Sequence, residues 1–307
     1  MVPNVSEGRR TAVIDQLAAA IGETPGATLL DVSADPSHNR SVFTAVGTRD
    51  ALLMATIRLV DVAVTHIDMR THIGEHPRIG AVDVVPYIPL DGETMSECVQ
   101  LAHDAGREIA ARFGVPIYFY ERAATRPERS RLEVVRRGQF EGLAARMQDP
   151  AWTPDAGPAL PHPTAGATAI GARMPLIAFN VDLEGATLDD AKHIAAAVRE
   201  SSGGLRYVKA LGLWLPHRQR AQVSMNLTDY TQTPLVTGFD AVAAAAALRG
   251  VQVHESELIG LIPAGALAGI TPERVRLLGF DPSRILETRM AQALRRHAGD
   301  GHTPRAT

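Results

Sequence analysis

Apolar and polar residues in the first 120 positions alternate between the spacing of helices and the spacing of strands. Residues 9–21 place Val13, Ile14, Leu17 and Ile21 on one side of a predicted amphipathic helix. Short apolar runs between such segments predict strands. In chain order the pattern predicts strands at 2–5, 28–32, 39–46, 82–88 and 115–120, and helices at 9–21, 50–64 and 93–113. This order contains the β-α-β-β-α-β arrangement of a ferredoxin-like sheet, followed by one further helix and strand.

The same order of elements is repeated in the second half of the chain. An Asn-Val pair precedes an alanine-rich helix in both halves, at Asn4-Val5 and at Asn180-Val181. The pattern predicts strands at 175–183, 205–215, 221–227 and 251–262, and helices at 189–200, 238–248, 271–278 and 284–297. We therefore predict an α/β (α+β) protein built from two ferredoxin-like β-α-β-β-α-β subdomains.

The segment between the two repeats has a different character. Residues 130–147 have a helical pattern, which we interpret as a solvent-exposed surface helix. This pattern brings three arginines near one another: Arg131, Arg136 and Arg137. Residues 149–171 are rich in proline and glycine, so they predict a long irregular segment and a domain boundary. The predicted domains are residues 1–174 and 175–290, followed by a polar tail at 291–307.

Composition and charge narrow the class of protein. The chain has 307 residues, of which 45% are hydrophobic and 21% charged, which is typical of a globular protein. A net charge of −3 does not favour a nucleic-acid partner. Cys98 is the only cysteine, so an intramolecular disulfide and a four-cysteine zinc site are excluded. No apolar stretch is long enough for a signal or a membrane span, which predicts a soluble cytoplasmic protein with no membrane partner.

The residues with the most chemistry concentrate at positions 72–89. Two histidines and three charged residues fall within twelve positions: His72, Glu75, His76, Arg78 and Asp83. Glycines and a proline among them disfavour a helix, so a loop that leads into the strand at 82–88 is predicted. Histidine exchanges protons near neutral pH, which makes this loop a candidate for general acid-base catalysis.

Two other interpretations of this loop stay open. The histidines are four positions apart, but the metal-binding pattern His-Glu-x-x-His requires a helix, so a metal site is disfavoured. A loop whose histidines and arginine only satisfy backbone groups fits the residue types as well as a catalytic loop does.

A series of motifs between residues 2 and 280 resembles the formiminotransferase family. This family comprises the formiminotransferase part of formiminotransferase-cyclodeaminases and the single-function bacterial glutamate formimidoyltransferases. The most specific block is Gly74-Glu75-His76-Pro77-Arg78, which continues to Val84. The other matching stretches are Val2-Pro3-Asn4-Val5-Ser6-Glu7-Gly8, Leu30-Asp31-Val32, Asn39-Arg40-Ser41-Val42-Phe43-Thr44, Gly166-Ala167-Thr168, Gly171-Ala172-Arg173, Leu176-Ile177-Ala178-Phe179-Asn180-Val181 and Ala221-Gln222-Val223-Ser224.

The resemblance implies an architecture and a reaction. It implies two α/β subdomains with a ligand groove between them. It implies transfer of a formimino group from N-formimino-L-glutamate to N5 of tetrahydrofolate, at the end of histidine degradation. Tetrahydrofolate is then a co-substrate, no metal is required, and a homodimer is expected.

The resemblance also assigns roles to single residues. His76 aligns with the catalytic histidine of the family and is expected to act first as general base and then as general acid. Four carboxylates are candidates for orienting its ring: Glu75, Asp83, Asp31 and Asp35. The last two flank Ser33, which stands where family members can carry an acidic residue. Three arginines are candidates for binding the substrate carboxylates: Arg40, Arg78 and Arg173.

Two segments correspond to the folate-binding segments of the family. The first lies in the proline- and glycine-rich stretch and consists of Gly157, Pro158, Ala159, Leu160, Pro161, His162, Pro163, Thr164, Ala165 and Gly166. The second begins a strand of the second half and consists of Gly203, Gly204, Leu205, Arg206, Tyr207, Val208, Lys209, Ala210, Leu211 and Gly212. Glycines allow the backbone to approach a ligand closely.

Other functions remain compatible with the sequence. The chain could act on another folate one-carbon unit, such as formyl-glutamate or 5-formyltetrahydrofolate. It could also be a folate-binding protein without turnover, although the Glu75-His76-Pro77-Arg78 block argues for catalysis. A ferredoxin-like interaction module would bind no folate at all.

Overall fold

The computed structural model describes residues 1–90 and 94–299 of the chain. The chain divides into two compact units, Met1–Arg173 and Met174–Thr307. Each unit has its own sheet and its own hydrophobic core.

The first unit has a mixed sheet with the strand order β2-β3-β1-β4-β6-β5. Strand β1 lies antiparallel between β3 and β4, whereas β6 lies parallel to both β4 and β5. Its elements are β1 (Asn4–Val5), α1 (Thr11–Gly22), β2 (Ala27–Asp35), β3 (Arg40–Gly47), α2 (Arg49–His66), β4 (Val82–Tyr87), α3 (Met95–Phe113), β5 (Ile117–Glu121), α4 (Leu132–Val135), α5 (Gln139–Arg146) and β6 (Thr168–Ala172). The first four strands with α1 and α2 form the predicted β-α-β-β-α-β arrangement.

Alternate residues of each strand point to opposite faces of this sheet, and both faces are packed against helices. Ile117 and Phe119 pack with α1, α2 and α3, whereas Tyr118 and Tyr120 pack on the other side with residues of α4 and α5. Each fully buried aliphatic side chain, such as Leu59 in α2, stabilises the fold by about 1.5–3 kcal/mol. The larger core therefore lies on the side of α1, α2 and α3.

A β-bulge in β4 controls the direction of one charged side chain. Val5 pairs with Val82 and Asn4 pairs with Val84, so Asp83 is the extra residue between them. A bulge inserts one residue and re-aims its side chain. Val82 and Val85 belong to the core of α1, α2 and α3, and Asp83 is directed away from that core.

Three predictions for the first unit need correction. Residues 130–147 do not form one surface helix, because Gly138 and Gln139 have φ values of +80° and +55° and separate α4 from α5. Residues 33–38 are rich in Asp, Pro and Ser and predict a turn between the strands at 28–32 and 39–46, but this turn begins later, since β2 continues to Asp35. The proline- and glycine-rich segment is not irregular throughout, because its last residues form β6 inside the sheet.

The second unit contains an antiparallel sheet with the order β10-β7-β9-β8. Helices α6 and α7 supply apolar residues to its core, among them Ile194 and Val242. The elements are β7 (Ile177–Glu184), α6 (Leu188–Val198), β8 (Val208–Leu215), β9 (Arg220–Leu227), α7 (Leu235–Ala247), β10 (Gln252–Ile259) and α8 (Leu286–Gly299). The prediction of two β-α-β-β-α-β subdomains is therefore confirmed.

Local signals explain where several helices begin. Thr94 accepts a hydrogen bond from the backbone of Glu97, whose side chain bonds back to Thr94, and Thr187 with Asp190 repeats this arrangement at α6. The sequence also offers Asp91 as a cap for this helix, and Asp91 lies outside the described residues. The segment predicted as a helix at 271–278 is instead a short 3₁₀ turn, Pro272–Val275. The predicted tail from residue 291 coincides with α8 up to Gly299, and residues 300–307 lie outside the described residues.

Candidate active site

The histidine loop, residues 72–80, contacts two other matched motifs of the first unit, those that contain Gly8 and Asn39. The amide of Gly8 donates to Asn39 Oδ1 at 3.0 Å, and Asn39 Nδ2 donates to the carbonyl of Ile73 at 3.0 Å. His72 Nε2 donates to the carbonyl of Asn39 at 2.9 Å. A Cβ atom on Gly74 would lie 2.2 Å from the carbonyl oxygen of His38, so this close approach requires glycine. The loop is therefore held by the β2–β3 turn.

His76 is half-buried, and its hydrogen bond defines the tautomer of its ring. Nδ1 donates to the carbonyl of Pro77 at 2.9 Å, so the basic lone pair of the neutral ring is on Nε2. Burial lowers the pKa of His76 well below its ordinary value, and the positive charges of Arg40 and Arg136 lower it further. His76 is consequently neutral at neutral pH. Its ring lies against that of His38, with centroids 5.9 Å apart.

The buried carboxylate of Asp83 is shared by two guanidinium groups. Its Oδ2 accepts from Arg40 Nη1 at 2.7 Å and from Arg136 Nη2 at 2.5 Å, while Oδ1 accepts from the amide of Ile79 at 2.9 Å. Despite burial, which alone would raise it, these partners lower the pKa of Asp83 to about 2. Arg40 also donates from Nε and Nη2 to Asn4 Oδ1. Burial and the charge of Arg136 lower the pKa of Arg40 to about 10, so it remains protonated at pH 7.

Arg78 is fully engaged within the protein. Its Nε donates to His72 Nδ1, Nη1 to Gln139 and Glu141, and Nη2 to Glu141 and the carbonyl of His72. These bonds use all five of its N–H donors. The hydrogen bond from Arg78 also lowers the pKa of Glu141. A substrate carboxylate would therefore have to displace one of these hydrogen bonds to bind Arg78.

The four candidate orienting carboxylates occupy different places. Asp83 lies between Arg40 and Arg136, and we call these three residues the arginine cluster. Asp35 accepts from the amides of Ser37 and His38 in the β2–β3 turn. Asp31 accepts from Ser33 Oγ at 3.1 Å. The side chain of Glu75 is exposed. The hydrogen-bond partner of His76 Nδ1 is instead a backbone carbonyl, which also selects one tautomer.

Arg173, the third candidate arginine, lies near this cluster. Its amide donates to the carbonyl of Tyr87, and its side chain donates to the hydroxyl of buried Tyr120. Tyr120 also experiences the charge of Arg136, and its burial raises the pKa of its hydroxyl. Arg173 is only partly buried, so its candidacy for a substrate carboxylate stays a prediction.

The two predicted folate segments lie in different units. In the first, the amides of Ala165 and Thr164 donate to His162 Nδ1, and burial lowers the pKa of this histidine. The carbonyl of Ala165 accepts from the amide of Ala81, so this segment lies against the end of the histidine loop. The second segment turns at Gly203, which has φ +88°, and then enters β8.

Sequence reasoning missed two residues of this site. Asn4 was matched only as part of a motif, yet it binds Arg40 directly. Arg136 was assigned to a solvent-exposed helix, yet its side chain is only 13% exposed and contacts Asp83. Gly138 inside the helical pattern was the signal that could have revealed the helix end next to Arg136.

No group of three or more His, Cys, Asp or Glu side chains within residues 1–90 and 94–299 is arranged to hold a metal ion. None of the helices in this part of the chain combines the length and the apolar character needed to cross a membrane.

Comparison with known families now identifies the class of protein. The N-terminal subdomain of the formiminotransferase domain matches residues 1–173, and the formiminotransferase domain family matches residues 178–271. The chain belongs to the formiminotransferase family.

Curated relatives carry two names, glutamate formimidoyltransferase and formimidoyltransferase-cyclodeaminase. A glutamate formimidoyltransferase of Streptococcus pyogenes is 46% identical over 94% of this chain and 97% of its own length. A protein of the same name from Thermoplasma acidophilum is 42% identical over 95% of this chain and 97% of its own length. A formimidoyltransferase-cyclodeaminase of Rattus norvegicus is 42% identical over 87% of this chain and 50% of its own length.

Proposed function

We propose that this chain is a glutamate formimidoyltransferase that moves the formimino group of N-formimino-L-glutamate to N5 of tetrahydrofolate, in histidine degradation. The observation that carries the proposal is the state of His76. Its Nδ1 donates to a carbonyl, its Nε2 is the basic nitrogen, and two nearby arginines disfavour its charged form. Family membership and the names of the two full-length relatives support this reaction.

The reaction needs one group that accepts a proton and then returns it. N5 of tetrahydrofolate attacks the amidine carbon, a new N5–C bond forms, and His76 Nε2 takes the proton from N5. The bond between this carbon and the glutamate nitrogen then breaks, and the imidazolium gives its proton to the leaving nitrogen. Glutamate and 5-formimino-tetrahydrofolate leave, and His76 is neutral again. A depressed pKa suits both steps, because it keeps the starting ring neutral and makes the imidazolium a stronger acid.

The donor carries two carboxylates and therefore requires cationic partners. We assign this role to Arg40 and Arg173, which lie with His76 near Arg136 on the first sheet. Arg78 instead holds the catalytic loop through its bonds to His72 and Glu141. Tetrahydrofolate is the second substrate, and we propose residues 157–166 and 203–212 as the segments that contact it.

The test is an assay of formimino transfer with three proteins: wild type, His76→Ala and His193→Ala. His193 is an exposed histidine of α6 and serves as the matched control. Loss of a general acid-base group lowers the rate by roughly 10²–10⁴-fold, so His76→Ala should fall by this factor and His193→Ala should match wild type. Full activity of His76→Ala would remove His76 from the mechanism. Absence of transfer by wild type, with turnover of 5-formyltetrahydrofolate or formyl-glutamate, would favour the other one-carbon donors.

Folate affinity separates catalysis from simple binding. If wild type binds tetrahydrofolate but transfers no group from any donor, the chain is a folate-binding protein.

We also propose a cytoplasmic homodimer, for which β8 and β10 are the sheet edges of the second unit. Light scattering of the purified protein measures the oligomeric state directly, and a monomer would refute this part of the proposal.

A further inference from the structure

The arginine cluster of the first unit contains more positive than negative charge. Arg40 and Arg136 share a single oxygen of Asp83, and their side chains are 9% and 13% exposed. Buried charges are normally paired, because removing an ion from water without a counter-ion is costly. One carboxylate cannot balance two guanidinium groups. The cluster therefore suits a second anion.

Arg136 has unused hydrogen-bonding capacity. Arg78 uses all its donors, whereas Arg136 Nη2 donates to Asp83 and the buried Nε–H has no acceptor among the described residues. A buried donor without a partner costs about 1–3 kcal/mol, so such a group in a native protein calls for an explanation. The Nη1 group of Arg136 is not among these buried atoms and makes no hydrogen bond within the described residues, so it is the donor that a substrate anion can reach, and such an anion also answers the charge imbalance.

The backbone around Arg136 is built to place this side chain. Arg136 follows the last residue of α4, and the next turn contains Gly138 and Gln139, both with positive φ. Positive φ at a residue other than glycine costs about 1–2 kcal/mol, so Gln139 is held by its surroundings. The side chain of Arg146 donates to the carbonyls of Val135 and Arg137 and thereby supports this turn. The side chain of Arg146 also lies over Trp152, 4.1 Å from the ring centroid.

We infer that Arg136, beside Arg40, binds one of the two carboxylates of the formimino donor and so selects the dianionic donor over the mono-amide that lacks this carboxylate. The inference rests on the proposed function and adds to it a specificity residue that lies outside the motifs matched in the sequence. Asp83 holds Arg136 in place, and the donor carboxylate supplies the missing negative charge. His76 lies within the field of Arg136, so the same contact brings the donor next to the base.

A cycle of variants and donors tests the inference. Wild type, Arg136→Gln and Arg137→Gln are each assayed with N-formimino-L-glutamate and with its two mono-amides, N-formimino-L-glutamine and N-formimino-L-isoglutamine. Arg137 is the exposed neighbour and the matched control. A charge-assisted hydrogen bond contributes about 1.5–3 kcal/mol, or roughly 10–100-fold in kcat/KM. Wild type and Arg137→Gln should prefer the dianion over one particular mono-amide by this factor, and Arg136→Gln should lose that preference.

Two further measurements keep the result unambiguous. Arg136→Lys keeps the charge beside Asp83 and should restore part of the preference, while circular dichroism shows whether each variant is folded. A uniform loss with all three donors in Arg136→Gln, or no loss, would overturn the inference, because Arg136 would then act only on Asp83. If wild type transfers no formimino group, the proposed function fails. Calorimetric affinities for L-glutamate, L-glutamine and L-isoglutamine then decide separately whether Arg136 binds a carboxylate.

Discussion

The first four strands of the first unit and the four strands of the second unit have the same order, but the charged clusters on the two sheets have opposite net charge. In the first unit two arginines share one carboxylate, Asp83. In the second unit Arg218 donates to two carboxylates, to Asp182 at 3.4 Å and to Glu257 at 2.9 Å. The fold is therefore common to both units, and the sign of the charge depends on a few outward-facing residues.

A pair of equivalent asparagines shows the same contrast. Asn4 and Asn180 occupy the first strand of their units, and both pair with the fourth strand, at Val84 and Glu257. Asn4 uses its carbonyl oxygen to accept from a cation, Arg40. Asn180 uses its amide nitrogen to donate to an anion, Glu257. The asparagine amide can both donate and accept a hydrogen bond, so the same residue type binds a cation in the first unit and an anion in the second. The first unit, with its excess of positive charge, is the one that suits an anionic donor.

The largest expected effect comes from removing the central carboxylate of each cluster. Asp83→Asn leaves Arg40 and Arg136 without their counter-ion in a buried place, which should cost about 3–5 kcal/mol of unfolding free energy. Asp182→Asn also changes a buried carboxylate, which accepts from Gln222 Nε2 at 2.8 Å, but Arg218 keeps Glu257 as its counter-ion, so this variant should cost less, about 1–3 kcal/mol. Urea unfolding measures both values.

The two tryptophans allow each unit to be followed separately. Trp152 belongs to the first unit and Trp214 to the second, so Trp214→Phe and Trp152→Phe backgrounds report one unit each by fluorescence. Asp83→Asn should lower the urea midpoint of the first unit only. Similar losses for Asp83→Asn and Asp182→Asn would show that the charge contrast between the units has no energetic consequence.

The fold was more predictable than the site for physical reasons. Helix and strand periods are local, so the elements from Thr11–Gly22 onward could be placed within a few residues. The end of α4 was missed because a short helical pattern with one glycine was treated as continuous. The position of β6 between β4 and β5 is a long-range pairing, and local sequence carries no information about it.

The candidate site divides in the same way. Residue types pointed to the loop at 72–89, and the resemblance to the family singled out His76 within it, but the carbonyl partner of His76 could not be predicted from side-chain types. Arg78 was matched by motif, yet only coordinates show that its donors are all occupied. Arg136 lies 53 positions from Asp83, and nothing local links the two residues.

An intermediate effect is expected from Arg78 and Arg274, each of which makes two hydrogen bonds to one carboxylate. Arg78→Lys loses most of the five-donor arrangement around His72 and should cost about 1–3 kcal/mol, together with a lower kcat because the loop is less well held. Arg274→Lys in the second unit replaces an exposed contact to Asp240 and should cost about 0.2–1 kcal/mol without changing kcat. Thermal unfolding and steady-state kinetics compare the pair. Equal kinetics for Arg78→Lys and wild type would show that this network does not position His76.

The last and smallest effect is a shift in the pH dependence of transfer. The groups that face His76 are Arg40 from β3, Arg136 from the end of α4, Asp83 from β4 and the ring of His38. Burial and the two arginines lower the pKa of His76, so the acid limb of kcat/KM in wild type should lie below the ordinary histidine value of about 6.5. Arg136→Gln removes one positive charge and should move this limb to higher pH, whereas Arg218→Gln in the second unit should leave it unchanged.

The sign of the accompanying stability change is the same for both groups involved. Between the depressed folded pKa of His76 and its ordinary value, the unfolded chain binds more protons, so stability falls as pH falls through this window. Asp83, with a pKa lowered to about 2, contributes stability above its ordinary value that is lost as pH falls toward 2. Circular dichroism at each pH separates titration of the base from acid unfolding. An acid limb that stays in place in Arg136→Gln would show that the arginine charge does not reach His76, and the contrast between the two units would then be structural rather than catalytic.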